Sequence, residues 1–176
     1  MGKDEAGSVN VSRITGVVLA VSIVAAPIAV AQEAARGQVT NLPVPRFISM
    51  KSAKANVRRG PSTTNRIDWV FVHRGTPLRV LAEYRDWFRV EDVDGEGGWV
   101  HTALLSAVRT VLVQEDMLAL REAPEESALP IALLEAGVVA RLGACTANWC
   151  EASVESISGW LPKSGIWGVD PSELRE

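Results

Sequence analysis

The chain has 176 residues, 47% hydrophobic and 22% charged, with a net charge of −3 and two cysteines. So mild a charge leaves no electrostatic footprint for nucleic acid. Two cysteines, with His73 and His101 as the only histidines and those not clustered, do not make the four-ligand set that structural zinc needs.

Lys3 and Arg13 give the N-terminus a positive flank, and Ile14 to Val30 is apolar apart from Thr15, Gly16, Ser22 and Pro27. Ala29-Val30-Ala31 then supplies the small-x-small pattern of a signal-peptidase site, so residues 1–31 read as a signal peptide cleaved before Gln32. An uncleaved anchor is the alternative, because the apolar stretch is close to the roughly 18 residues that span a bilayer. Pro27, just before the cleavage site, favours removal. No second apolar run is long enough to span, which predicts a periplasmic or secreted protein with no stable membrane span after cleavage.

Residues 32–45, polar and broken by Pro43 and Pro45, read as a flexible arm. From Arg46-Phe47-Ile48 onward the chain reads as β-rich. Leu78 to Tyr84 is a strand, Asp86 a turn, and Trp87 to Val90 the return strand, with Phe88 and Val90 on one face and Trp87 and Arg89 on the other. Asp94 to Gly98 is a turn cluster leading into Trp99-Val100-His101. Val138 to Leu142, Trp149 to Val154 and Trp160-Leu161 repeat that plan. Ala128 to Ala136 has a helix-favouring composition, but its place in the repeat sets it against Asn65 to Arg74 and makes it a loop-to-strand segment.

The repeat is internal and regular. Ala55-Asn56-Val57-Arg58 with Gly60-Pro61 returns as Leu118-Ala119-Leu120-Arg121 with Pro124. Trp87-Phe88-Arg89-Val90 returns as Trp149-Cys150-Glu151-Ala152, and Gly98-Trp99-Val100 as Gly159-Trp160-Leu161. The offset is 63 at Arg58/Arg121, 62 at Gly75/Gly137 and Trp87/Trp149, and 61 at Trp99/Trp160. A near-constant offset with slippage only in loops marks a duplicated unit. Two units of about 60 residues each have marginal cores, which predicts mutual support through a shared interface or by pairing near Val111–Glu115.

The Asn56-Val57-Arg58, Gly60-Pro61, Trp-x-x-Val and Gly-Trp-Val pattern resembles the bacterial SH3 (SH3b) domain. The likeness covers roughly 46–169, and its tandem form after a leader is similar to exported proteins of Gram-negative bacteria. The second copy departs from it at Ala119-Leu120-Arg121 and Ala123-Pro124. The resemblance implies an all-β chain of two small SH3-like β-barrels, 46–113 and 114–176. It also implies a loop-lined groove of the kind found in wall-binding and periplasmic proteins.

Candidate sites follow from residue type. Trp87 and Trp99, with Arg58 and Arg59, are candidate ligand contacts able to stack on sugar rings or a peptide; the competing reading makes the tryptophans core filling and Arg58 and Arg121 structural pins. Cys145 and Cys150 read as a disulfide in an exported protein, with free thiols or a metal site as alternatives. Cys150 with His101 imitates a thiol hydrolase pair, but no segment is large enough for a catalytic fold, so no catalytic residues, metal or cofactor are expected. His73 and His101 read as surface loop residues. Residues 46–113 hold eleven Lys or Arg against seven Asp or Glu, and residues 114–176 four against eleven. That asymmetry either offers a basic surface to an anionic partner or lets the two copies attract one another. The expected function is non-catalytic binding of an envelope component, peptidoglycan or a peptide. The alternative is a periplasmic protein–protein scaffold without glycan affinity.

Overall fold

The computed structural model describes Gly2 and residues 35–176. The expected leader, 1–31, lies outside the described residues apart from Gly2. The remainder is all-β. The first copy contains β1 (Arg46–Met50), β2 (Ala55–Arg58), β3 (Ile67–Phe71), β4 (Pro77–Tyr84), β5 (Trp87–Glu91), β6 (Gly97–His101) and β7 (Leu105–Ser106). The second contains β8 (Thr110–Val113), β9 (Leu118–Arg121), β10 (Pro130–Leu134), β11 (Val139–Cys145), β12 (Trp149–Val154), β13 (Ile157–Pro162) and β14 (Ile166–Trp167). Each copy is one seven-stranded antiparallel sheet, in the orders β3-β2-β6-β5-β4-β1-β7 and β10-β9-β13-β12-β11-β8-β14. The two orders are the same topology shifted by seven strands, the structural counterpart of the repeat. Thr110–Val113 pairs with β11 and β14, so the sheets divide between Ser106 and Thr110, ahead of the 113/114 boundary read from the sequence.

Each sheet wraps about its own core. Met50, Val57, Leu78, Val80, Val90 and Val100 fill the first, and Val113, Leu120, Ala140, Leu142, Ala152 and Leu161 the second. Alternation along each strand aims these side chains inward. The cores are mostly aliphatic, which releases the large aromatics for other places. Gly75 and Gly137 hold positive φ (82° and 90°) at matched bends, where an L side chain would be strained. Each donates its N–H to the first strand of its copy, Gly75 to the Met50 carbonyl on β1 and Gly137 to that of Val113 on β8, both at 2.8 Å.

The copies support one another through a shared interface. Ser49 Oγ donates to the Val108 carbonyl at 2.6 Å and Thr110 Oγ1 to the Gly75 carbonyl at 2.6 Å. These bonds satisfy two of the three buried polar residues among the described residues. Phe47 and Trp167 meet edge to face at 5.1 Å, and the Arg109 guanidinium lies 5.6 Å from the Phe47 ring. Gly168 sits where a Cβ would come within 2.6 Å of the Thr110 carbonyl and 3.1 Å of Pro77 Cβ, so the close approach there requires glycine. Among the described residues one Lys/Arg to Asp/Glu pair joins 46–113 to 114–176: Arg109, lying against Phe47, pairs with Glu173 at 3.0 Å.

The segments that flank the two sheets, 35–45 and the stretch after β14, are tied to matched positions of their copies. Residues 35–45, read from the sequence as a flexible arm, form a closed hairpin in which Gly37 donates to the Leu42 carbonyl and Val44 to that of Ala35. The hairpin wraps the carboxylate of Glu83, which is only 4% exposed. That carboxylate accepts from the Val39 and Thr40 amides at 2.9 and 2.8 Å and pairs with Arg46 at 2.6 Å. Glu83 faces Phe88 across β4 and β5, while in the second copy Cys145 faces Cys150 across β11 and β12. Cys145 and Cys150 are joined as a disulfide. In place of a side-chain clamp, the Cys145 backbone exchanges hydrogen bonds with Arg175 in the C-terminal tail.

Candidate functional site

Residues that leave the core on β2, β5 and β6 build a single outer face on the first copy. Phe88, Val90 and Val100 point inward, which turns Trp87, Arg89, Trp99 and His101 outward. Trp87 pairs with His101, and Trp99 pairs with both Arg89 and Arg58. The result is a row Arg58–Trp99–Arg89 running straight across three adjacent strands. Beside it, Trp87 and His101 meet edge to face at 5.2 Å.

The four sequence candidates share this face but not one groove. Trp87 is buried beneath His101 and Tyr84, at the wall of a hollow of about 560 Å3 closed by the Pro61–Asn65 loop. Trp99, Arg58 and Arg59 line a separate hollow of about 380 Å3, together with Arg89 and the glycines of the β5–β6 turn. His101, expected in a surface loop, lies on β6 and accepts through Nδ1 from the Ala103 amide at 3.2 Å.

Arg58 has a local duty as well. Its Nη1 donates to the Thr63 and Asn65 carbonyls at 2.8 and 2.6 Å, pinning the β2–β3 loop. Arg121 does the same at the matched position, donating to the Ala128 carbonyl seven residues on. The two carboxylates of the hollow take their shortest bonds from outside it. Asp68 accepts from Arg66 at 2.6 Å and more distantly from Arg59 at 3.4 Å. The Arg66 bond, aided by Arg59 against desolvation, holds the Asp68 carboxyl below the usual range. Glu91 accepts from Arg79 at 2.6 Å. Arg89 is exposed and in no ion pair among the described residues.

Sequence reasoning passed over Arg89 and Glu83. For Arg89 the signal was available, since the repeat sets it against Glu151, a reversal of charge at a matched outward position. Glu83 gave only a weaker sign, a carboxylate aligned with a cysteine.

A cavity of about 1060 Å3 lies between the copies and is lined by Phe47, Trp149, Trp167, Pro45, Pro162 and Arg79 among others. Trp149 and Pro162 are register partners, as Trp87 and His101 are. The second copy's counterpart of the Trp87 hollow thus opens into this cleft. Among the described residues no group of three or more His, Cys, Asp or Glu is placed to hold a metal. Cys150 is buried and disulfide-bonded, so it carries no free thiol to pair with His101. No helix of the described residues is long and apolar enough to cross a membrane.

Comparison with known proteins bears on the fold. The model of the bacterial SH3 domain matches residues 51–107 and again 114–168, more than half of the chain. No curated protein matches. Among solved structures, NlpC2 from Trichomonas vaginalis is similar at a TM-score of 0.34 and 8% identity, over 70% of this chain and 48% of that one. NlpC1 from the same organism is similar at 0.32 and 7%, over 74% and 48%. The chain spans about half the length of those structures. With two matched copies and two sheets of one topology, this chain belongs to the bacterial SH3 domain family as a tandem pair.

Proposed function

We propose that the chain is a non-catalytic exported protein that binds a cell-envelope component, peptidoglycan or a peptide, through the outer face of its first copy. The observation that carries this reading is Trp99. It is a large aromatic left only partly buried on the outer face of a sheet whose core is already filled mostly by aliphatic side chains. An aromatic platform flanked by guanidiniums is suited to ring faces and to acceptor-rich polymers. Export rests on the sequence of residues 1–31.

Co-sedimentation of the protein with protein-free sacculi, at low and at physiological salt, tests the reading. Retention that survives salt and is lost in Trp99→Leu supports binding at this face. No retention at either salt sinks it.

A specific observation favours a second reading, the protein–protein scaffold. The inter-copy cleft presents Phe47, Trp149 and Trp167 among prolines, a lining that suits an extended, proline-containing segment of a partner. Capture of a defined partner peptide that Trp149→Ala abolishes, with no sacculus retention, would select this second reading over the first.

A further inference from the structure

Both copies carry the same three-strand row, with one residue changed. In the first it is Arg58–Trp99–Arg89. In the second, Trp160 pairs with Arg121 on one side and with Glu151 on the other. The arginine on β2 or β9 and the tryptophan on β6 or β13 are kept, while the β5 or β12 position is reversed in charge. The pinning role of Arg58 and Arg121 accounts for the shared arginine. No structural duty among the described residues accounts for Arg89.

We infer that the Arg58–Trp99–Arg89 row is a binding site for an anionic glycan, one sugar ring lying on Trp99 with its carboxylate held by Arg89 and Arg59, and that the second copy's row is not such a site. This inference rests on the reading of the first copy as an envelope-binding module and names the ligand's chemistry. Three arguments support it. Adjacent strands lie ~4.8 Å apart, so the row spans about 10 Å, the breadth of a pyranose ring with its substituents. The two acidic side chains of the hollow take their shortest bonds from Arg66 and Arg79, which stand outside its lining, while Arg59 within it reaches Asp68 only at 3.4 Å. Arg58, Arg59 and Arg89 therefore face the ligand with a net positive field. Finally, β6 lies between β2 and β5, so its backbone is engaged in the sheet and has no edge to offer an added peptide strand. Recognition there falls to side chains, a ring face and guanidiniums, which fits a charged sugar better than an acidic peptide. Around Trp160 the charges of Arg121 and Glu151 oppose one another.

Titration calorimetry with alginate oligosaccharides, a polyuronate, tests the inference, with neutral dextran and poly-L-glutamate as parallel probes. The protein is expected to bind the oligouronate at one site, with tryptophan fluorescence changing on binding and dextran inert. Arg89→Glu, an exposed substitution that leaves the core untouched, should weaken binding by about tenfold or more, since it both removes and reverses a charge contact. Glu122→Arg combined with Glu151→Arg gives the second copy's row both of the guanidiniums that hold the carboxylate and should raise the stoichiometry from one to two. Unchanged oligouronate affinity in Arg89→Glu overturns the inference. So does equal binding of dextran, or poly-L-glutamate binding as tight as the oligouronate and indifferent to Trp99→Leu, which would assign the face to an acidic peptide. The sacculus assay, run alongside, separates the two levels. Sacculus retention without oligouronate binding sinks the inference and spares the envelope reading. Oligouronate binding without retention does the reverse, and the loss of both sinks both.

Discussion

Replacing Glu83 by Gln should cost the first copy about 3 kcal/mol at pH 7, and the loss should vanish in acid. Burial alone would raise the pKa of this carboxyl. The hydroxyl and amide of Thr40, the amide of Val39 and the Arg46 guanidinium more than offset that, lowering it from 4.5 to about 2. Against an unfolded value of about 4.3, a depression of roughly two units corresponds to about 3 kcal/mol. The depressed pKa fixes the sign. The stabilisation is fully present above the unfolded value and is lost as pH falls from about 5 toward 2. Glutamine keeps one acceptor but turns an NH2 group toward amides that need acceptors, and it leaves the Arg46 charge buried without its partner. Urea unfolding followed by tryptophan fluorescence at pH 7, 5 and 3 measures the difference. Amide exchange at Val39 and Thr40 should accelerate in the variant at pH 7, as the hairpin loses its hold. Equal stabilities at pH 7, or a gap between the two proteins that does not narrow toward pH 3, would refute the reasoning.

Other outcomes follow from the same contacts. Phe47→Ala removes the edge-to-face partner of Trp167 and the ring beneath Arg109. It should weaken coupling of the copies by about 1 kcal/mol beyond the lost area, so that a single calorimetric transition broadens or splits in two. Arg58→Ala should destabilise more than Arg121→Ala, because Arg58 serves two loop carbonyls and Arg121 one. About 1 kcal/mol per bond lost is expected from the urea midpoints. Converting Cys145 and Cys150 to serine opens a loop whose ends are only five residues apart, and the second copy should lose about 2 kcal/mol. A similar loss in the first copy's transition would contradict the assignment of the disulfide to the second copy's core alone.

The architecture was legible because it is written twice. Landmarks such as Arg58/Arg121, Gly75/Gly137 and Trp99/Trp160 recur at an offset that drifts by only two residues, and alternation around Phe88 and Val90 gives each strand its inward face without reference to any partner. The segment 128–136 shows the value of the repeat, since its composition alone favours helix while its matched position makes it a loop-to-strand segment, and it holds the strand β10 (Pro130–Leu134). The disulfide was an expectation from an even cysteine pair in a chain read as exported, and the structure joins the two where they face each other across consecutive strands.

What the sequence by itself determined is therefore periodic: the strands, their faces, the duplication and the family. Tertiary structure decided whatever depends on residues far apart in the chain. Glu83 becomes a clamp only because Val39 and Thr40, more than forty residues earlier, fold back onto it, and the polar arm reads as flexible until that acceptor is in place. Trp87 and Trp99, two residues apart in face and twelve in sequence, look alike as letters. The loop over Trp87 buries one while the glycine turn beside Trp99 leaves the other open. The interface of the copies joins Ser49 to Val108 and Phe47 to Trp167, pairs for which alternation predicts an outward or inward side but no partner. Periodicity tells a side chain which way to point; only the packed chain supplies what it meets there.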